Sequence, residues 1–139
     1  KMEYTVIGDV VNLASRLEGL TKVYHEPIII SESVYTKVAE TLPCRQLDTV
    51  AVKGRTQGVK IFAPRKSLGN TEAQIWKLHH EGLQHYYSRD FALAIRCFSE
   101  LGTRHPDDRT SSIFLERSRA YLKSPPPTGW NGVARVLEK

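Results

Sequence analysis

The first 66 residues alternate between short apolar runs and segments with helical spacing. Residues 4–7 are predicted to form a strand that ends at Gly8, and Asp9 is predicted to cap the helix that follows. One face of that helix is apolar, because five residues recur at helical spacing: Val10, Leu13, Ala14, Leu17 and Leu20.

A second strand and a second helix are predicted next. Residues 27–30 are a short apolar run typical of a buried strand. Ser31 and Ser33 are suited to cap a helix, because a serine hydroxyl can accept a hydrogen bond from a backbone N–H of the first turn. Val34 and Val38 are four residues apart and would lie on one face of that helix.

A hairpin is predicted to complete this part of the chain. Residues 47–53 and 59–62 both alternate with period two, and the Gly-bounded residues 54–58 between them are typical of a hairpin connection. The predicted order is therefore strand, helix, strand, helix, strand, strand, which is an α+β arrangement.

The second half of the chain has a helical pattern throughout. Polar residues 64–70 include Pro and Gly and predict an interdomain linker. Helical spacing predicts three helices, over residues 76–88, 91–103 and 110–123. The chain then divides into a first domain, a linker, a helical module and a Pro-rich tail: residues 1–66, 67–74, 75–123 and 124–139.

Four residues of the helical module are separated by 12, 4 and 8 positions: Gly82, Ala94, Phe98 and Pro106. This spacing resembles the tetratricopeptide repeat, in which two helices cross at small residues and a proline ends the unit. Leu78 and His85 depart from it, because the repeat has Trp and Tyr there, and a generic helical hairpin is the alternative interpretation. One repeat cannot bury both of its faces, so the module must pack on the first domain, on the tail or on another chain. The tail is predicted to be either a short segment docked through Trp130 or mobile.

Composition narrows the functional classes. The net charge is +5, but basic residues are interleaved with acidic ones, which indicates a solvated mixed-charge surface and no nucleic-acid partner. No run approaches the ~18 apolar residues of a membrane span, so we expect no membrane contact from this segment and a cytoplasmic location, with an upstream anchor left open.

Cys44 and Cys97 are predicted to be reduced, partly buried thiols, and a single disulfide is the alternative.

The histidines of the helical module do not predict a metal site. Zinc proteases place two histidines four residues apart on one helix face, with a glutamate beside the first. His80 and His85 are five residues apart, which rotates them off a common face. We therefore expect His79, His80 and His85 to be ordinary surface residues.

Two positions in the first domain are better candidates for ligand binding. Asn12 and Arg16 are four residues apart on the first predicted helix, so their side chains project from one flank. An amide and a guanidinium presented together suit a polyphosphate or a sugar better than a protein core. Lys53 ends an alternating strand beside Gly54, where a lysine can extend over the sheet edge toward an anion, although alone it would be read as a solvated strand-end residue.

Three blocks carry a resemblance to a known family. They are residues 3–18 (EYTVIGDVVNLASRLE), 28–32 (IIISE) and 47–54 (LDTVAVKG). In order and spacing they resemble the C-terminal half of a class III nucleotidyl cyclase catalytic domain. The resemblance implies a ferredoxin-like domain that pairs head to tail with a second copy and converts a nucleoside triphosphate to its cyclic 3′,5′-monophosphate and pyrophosphate.

The resemblance implies roles for four residues. Asn12 matches the asparagine that positions the ribose, and Arg16 matches the arginine that stabilises the charge developing on the phosphoryl group. Lys53 matches a lysine that holds the terminal phosphates. Thr5 occupies the base-recognition position, where many members carry Asp, and implies ATP as the substrate, as in a subgroup that includes bicarbonate-responsive enzymes.

The resemblance also implies what these 139 residues lack. Family members hold two Mg²⁺ or Mn²⁺ ions on a pair of aspartates in the N-terminal half, which also carries a base-recognising lysine. None of that half is present, and Asp9 is interpreted as a helix cap instead. We therefore expect the parent to be an adenylate cyclase of intracellular signalling and this fragment to be inactive alone.

Two kinds of partner are expected. Open strand edges invite pairing between chains, so a homodimer through the cyclase domain, native or swapped, is predicted. The helical module is expected to bind a protein. The alternative function is a catalytically silent cyclase-like scaffold with a tetratricopeptide-type interaction module.

Overall fold

A computed structural model of the chain describes the backbone of residues 2–51 and 58–135, and within these ranges the side chains from Leu13 onward. The fold is α+β, with five helices and a three-stranded antiparallel sheet in this described part. The chain forms two compact units, Lys1–Lys66 with Val133–Lys139, and Ser67–Gly132. Among the described residues, no helix is both long enough and apolar enough to cross a membrane.

Helix α1, Met2–Tyr24, is longer than the sequence pattern predicts. Residues 4–7 are helical, so the strand predicted there is wrong, and Asp9 lies inside the helix and does not cap its start. An extended segment needs a neighbouring strand to pair its backbone groups, whereas a helix pairs each N–H with the carbonyl four residues before it. The described sheet does not extend to these residues, and local hydrogen bonding prevails.

The end of α1 is a Schellman motif. His25 follows the helix with a φ of 54°, in the left-handed region that favours glycine. The N–H of Glu26 donates to the carbonyl of Thr21 at 3.1 Å, which satisfies one of the last free carbonyls of the helix. The chain therefore turns sharply at His25 and leads directly to the first strand.

Strand β1, Ile30–Ser31, is shorter than predicted and is followed by helix α2, Glu32–Val38. Ile28 is 58% exposed, so the apolar run before β1 is not a buried strand throughout. Ser31 is the N-cap residue of α2, but its hydroxyl makes no capping bond and lies 3.0 Å from that of Ser33. Val34 is 43% exposed, so α2 contributes little to the core.

Strands β2, Cys44–Val50, and β3, Val59–Pro64, form the antiparallel pair predicted from their alternation. The sheet order is β1-β3-β2, and the predicted hairpin connection lies mostly outside the described residues. Ala134 forms a parallel bridge with Val50, so the chain returns to the outer edge of β2. Large side chains that are completely or almost completely buried form the core of this unit: Leu20, Tyr24, Leu47, Val50 and Ile61.

The second unit contains the three helices predicted from spacing: α3, Asn70–Tyr87, α4, Phe91–Arg104, and α5, Arg109–Lys123. Helix α3 begins inside the segment predicted as linker. Asp90 and Asp108 cap α4 and α5, since each carboxylate accepts a hydrogen bond from a first-turn N–H at 3.3 Å. Trp130 packs in this unit, with its ring 5.3 Å from that of Tyr86 and 5.4 Å from that of Tyr121, so the docked form of the tail is the observed one.

Candidate functional site

Helix α1 carries three of the four residues that the sequence nominates. Thr5 and Asn12 lie in its helical backbone, and their side chains are outside the described residues. The side chain of Arg16 is described and is half-buried.

Lys53, the fourth nominated residue, lies outside the described residues, between the end of β2 at Val50 and the start of β3 at Val59. The structure therefore gives no distance between Lys53 and Arg16. It does give the contacts that hold α1, the helix of Arg16, against the sheet.

A hydrogen bond joins the last residue of α1 to β2. The hydroxyl of Tyr24 donates to Oδ2 of Asp48 at 2.5 Å, and the backbone N–H of Thr49 donates to Oδ1 of the same carboxylate at 2.8 Å. Tyr24 is 1% exposed and Asp48 is 0% exposed. Both groups are shielded from water, so neither can exchange this hydrogen bond for one to solvent without moving, and the contact fixes the end of α1 against β2.

Leu47 and Asp48 both point into the interior because β2 contains a bulge. Gln46 pairs with Phe62 and Asp48 pairs with Ile61, so the residue between them, Leu47, is extra in the ladder. Leu47 and Asp48 are therefore both completely buried, although they are consecutive. In an uninterrupted strand their side chains would lie on opposite faces of the sheet.

Sequence reasoning missed Asp48, although a signal was available. In the alternation of residues 47–53, Asp48 has the same parity as Val50 and Val52 and therefore falls on an apolar face. A carboxylate on such a face requires buried donors. Tyr24 supplies one, but its distance of 24 positions along the chain cannot be read from local spacing.

An ion pair lies just beyond the end of α1. Arg65 Nη2 is 2.8 Å from Oε1 of Glu26 and donates to Oε2 at 3.2 Å. The side chain of Glu26 is 6% exposed and that of Arg65 is 25% exposed. This pair ties the turn after α1 to the end of β3, so the C-terminal end of the helix is held to two strands of the sheet.

An open groove of about 320 Å³ flanks α1 in the same unit. Its lining is mostly apolar and Arg16 is not part of it, so it does not suit a polyphosphate. Seven residues line the groove: Ala14, Leu17, Glu18, Thr21, Pro27, Ile28 and Ile29.

The histidines and cysteines of the described residues add no second site. His79 is 1% exposed and lies between Phe98 and Phe114, so the prediction of a surface histidine is wrong for this position, because the aromatic core of the helical unit encloses it. No group of three or more His, Cys, Asp or Glu in the described part of the chain is placed to hold a metal ion. Cys44 and Cys97 are free and partly buried, as predicted, and burial raises the pKa of both thiols.

The sequence is similar to proteins named adenylate cyclase. It is 30% identical over 132 residues to the terminal-differentiation-specific adenylate cyclase of Dictyostelium discoideum. This match covers 89% of the present chain and 6% of the Dictyostelium protein. It is 45% identical over 65 residues to an adenylate cyclase of Anabaena cylindrica, and 37% identical over 62 residues to adenylate cyclase 1 of Rhizobium meliloti strain 1021. Each of these two matches covers 45% of this chain. These similarities support a cyclase family.

Each match covers a much larger share of the present chain than of the relative. The present chain spans 6%, 13% and 9% of the length of the three relatives, so it corresponds to a small part of each. The Dictyostelium match includes residues of both units, because neither unit alone amounts to 89% of the chain. No family model and no solved structure matches the sequence.

Proposed function

We propose that this chain is part of an adenylate cyclase and supplies the ribose-binding and phosphate-binding side of its active site. The observation that supports the proposal most directly is the similarity to three proteins named adenylate cyclase. In this proposal Asn12 positions the ribose and Arg16 stabilises charge on the α-phosphate. Lys53 holds the terminal phosphates, and Thr5 recognises adenine.

The residue types fit the chemistry of cyclisation. The ribose 3′-hydroxyl attacks the α-phosphorus, the new P–O bond closes the ring, and pyrophosphate leaves with the electrons of the broken bond. Such phosphoryl transfer depends mainly on positioning and on stabilising the charge that spreads over the phosphoryl oxygens. Arg16 is suited to the second task because its guanidinium is planar, permanently charged and able to donate to two oxygens.

Family members use Mg²⁺ or Mn²⁺, and the described residues of this chain do not fit such a site. Among them no cluster of carboxylates, histidines or cysteines is placed to hold an ion. We therefore assign no step to a metal here. In the proposal, the metal ligands come from a polypeptide segment that these 139 residues do not contain, and the chain by itself does not cyclise ATP.

We further propose that the helical unit is a tetratricopeptide-like module that binds a protein. Support comes from the crossing of α3 and α4, where Gly82, Ala94 and Phe98 are all buried, as the repeat spacing requires. The aromatic core of the unit continues onto α5 through Phe114, whose ring is 5.5 Å from that of Phe98. A stack of three helices with a continuous core is the arrangement that repeat proteins extend or use for binding.

The test of the catalytic proposal is Arg16→Ala in the longer cyclase that contains this chain. Loss of one donor to the transition state typically reduces kcat by about 10²- to 10³-fold, and cyclic AMP production should fall by that order. Lys22→Ala is the matched control, because it removes a positive charge from an exposed position of the same helix. Equal activity of the Arg16 variant and the wild type would reject the proposed role of Arg16, and no cyclic AMP from either protein would favour a catalytically silent scaffold.

A second experiment uses the chain alone. The purified 139-residue protein, incubated with Mn-ATP, should form no cyclic AMP, and appreciable product would contradict the proposed division of the active site. Light scattering on the same sample tests the expected homodimer, for which a monomer at high concentration is the contrary result.

A further inference from the structure

The contact between Tyr24 and Asp48 joins the helix that carries Arg16 to the sheet. Tyr24 is the last residue of α1, the helix that contains Asn12 and Arg16. Asp48 lies in β2, so the contact holds the C-terminal end of α1 against that strand. Any change in how α1 sits on β2 therefore changes the position of Arg16 relative to the sheet.

The carboxylate of Asp48 is held firmly enough to define that arrangement. Both of its oxygens accept hydrogen bonds, one from the Tyr24 hydroxyl and one from the N–H of Thr49. The bulge at Leu47 allows Leu47 and Asp48 both to face inward, and bulges recur beside active sites, where they re-aim a side chain. A bulge and a fully hydrogen-bonded carboxylate at the end of the helix that bears Arg16 are therefore consistent with a positioning role.

We propose that Tyr24 and Asp48 are positioning residues of the cyclase site, which fix the end of α1 on β2 and thereby hold Arg16 in place for the substrate. This inference rests on the proposed function. Neither residue needs to touch the substrate, because each acts through the helix and the strand that it holds.

The geometry of a helix gives the expected size of the effect. Arg16 is eight residues before Tyr24, or about 12 Å along the helix axis. A pivot of about 5° at the Tyr24 end would therefore displace the backbone of Arg16 by about 1 Å. A displacement of about 1 Å at a catalytic group can reduce turnover by as much as ~10²-fold, whereas substrate affinity depends on many more contacts.

The experiment is Tyr24→Phe in the longer cyclase, which removes only the hydroxyl. We expect kcat to fall by about tenfold or more with KM for ATP changed by less than about twofold, because Arg16 acts mainly in the transition state. Ile61→Val is the control, since it removes one methyl group from a completely buried residue of the same unit. It should lower the melting temperature comparably and leave kcat within about twofold.

A double-variant cycle distinguishes positioning from simple destabilisation. If Tyr24 acts through Arg16, the loss of kcat caused by Tyr24→Phe should be much smaller in an Arg16→Lys background than in the wild type. A loss of the same factor in both backgrounds, or a kcat equal to that of Ile61→Val, would overturn the inference. If Tyr24→Phe does not fold, Asp48→Asn can replace it in the same double-variant cycle. It retains an acceptor oxygen for the tyrosine, so we expect a smaller loss of kcat.

The outcomes also separate this inference from the proposed function. If Arg16→Ala abolishes activity while Tyr24→Phe behaves as the wild type, the positioning role is wrong and the cyclase assignment stands. If Arg16→Ala is as active as the wild type, the proposed function is wrong and the positioning role is rejected with it.

Discussion

The ring of Phe98 lies against the backbone of Gly82, where α4 crosses α3. A Cβ atom added to Gly82 would lie 2.7 Å from Cζ and 2.8 Å from Cε1 of Phe98, closer than real Cβ atoms approach another carbon. Phe98 is 0% exposed and its ring is enclosed by the core, so it cannot move aside freely. We expect Gly82→Ala to lower the free energy of unfolding by about 1–3 kcal/mol, measured by urea denaturation of the chain.

Gly102 offers a matched control for this prediction. It lies within α4, and no atom is found within 4 Å of the position that its Cβ would occupy. Alanine is a better helix former than glycine, so Gly102→Ala should raise the free energy of unfolding by up to about 1 kcal/mol. Gly82→Ala and Gly102→Ala with effects of the same sign would show that the Phe98 contact does not decide the packing at this crossing.

The helical unit was the more predictable half of the chain, and the reasons are local. Helices α4 and α5 begin at or next to the residues that short-range signals predict, because Asp90 and Asp108 cap them with bonds that span three residues. The start of α3 at Asn70 was missed since its first turns are polar and carry no apolar periodicity. His79 was placed on the surface because the aromatic residues that enclose it come from α4 and α5, which the pattern of α3 does not reveal.

The first unit was less predictable because long-range contacts determine it. Residues 4–7 have the composition of a strand, but a strand forms only where another strand can pair with it. The bulge in β2 shifts the alternation by one position at Leu47, which the reading of residues 47–53 as a regular strand could not show. Of the proposed site, Arg16 is placed on α1 by the structure, and the roles of Thr5, Asn12, Arg16 and Lys53 stay predictions.

The left-handed residue at the end of α1 gives a second prediction. His25 has a φ of 54° and an exposed side chain, so its conformation is strained without a matching gain from side-chain burial. The left-handed conformation costs a non-glycine residue roughly 1–2 kcal/mol of folding free energy relative to glycine. Glycine loses more conformational freedom on folding, so replacing His25 by glycine recovers only part of that energy. We expect His25→Gly to raise the free energy of unfolding by up to about 1 kcal/mol, measured by urea denaturation.

Arg89 is the matched position in the helical unit, with a φ of 66° at the end of α3. Here the side chain compensates, since its guanidinium donates to the carbonyl of Pro126 at 2.7 Å and to that of Pro127 at 3.0 Å. It also lies over the ring of Trp130. Arg89→Gly should therefore be neutral or destabilising, and stabilisation of both glycine variants alike would mean that these contacts contribute nothing measurable.

The thiol of Cys97 should be a poor nucleophile at neutral pH. Burial raises its pKa, and the carboxylates of Glu81 and Glu100 raise it further. The folded chain therefore favours the neutral thiol. This contribution to the free energy of unfolding is present below the ordinary thiol pKa and is lost as the pH rises through the raised pKa of Cys97. In a Cys44→Ser background, iodoacetamide should react with Cys97 more slowly than with free cysteine at pH 7.5.

Glu81→Gln tests the cause of this pKa shift. Removing the carboxylate charge should lower the pKa of Cys97 and raise its alkylation rate at pH 7.5 on the order of twofold, more at low ionic strength. Glu116→Gln serves as the control, because Glu116 is not among the groups that shift this thiol. Equal rates for the Glu81 and Glu116 variants would show that the Glu81 carboxylate does not slow the reaction, which would leave burial and Glu100 as its causes.

The ion pair between Glu26 and Arg65 should contribute measurably to the stability of the first unit. Arg65→Ala would leave the carboxylate of Glu26, only 6% exposed, without its cation. Breaking a buried pair in this way costs about 3–5 kcal/mol, and the 25% exposure of Arg65 argues for about 2–3 kcal/mol here, measured by urea denaturation. Lys60→Ala breaks an exposed pair with Glu32 at 3.9 Å and should change stability by less than about 0.5 kcal/mol. If both variants fall within that smaller range, water reaches Glu26 once the arginine is gone, and the pair does not anchor the turn after α1.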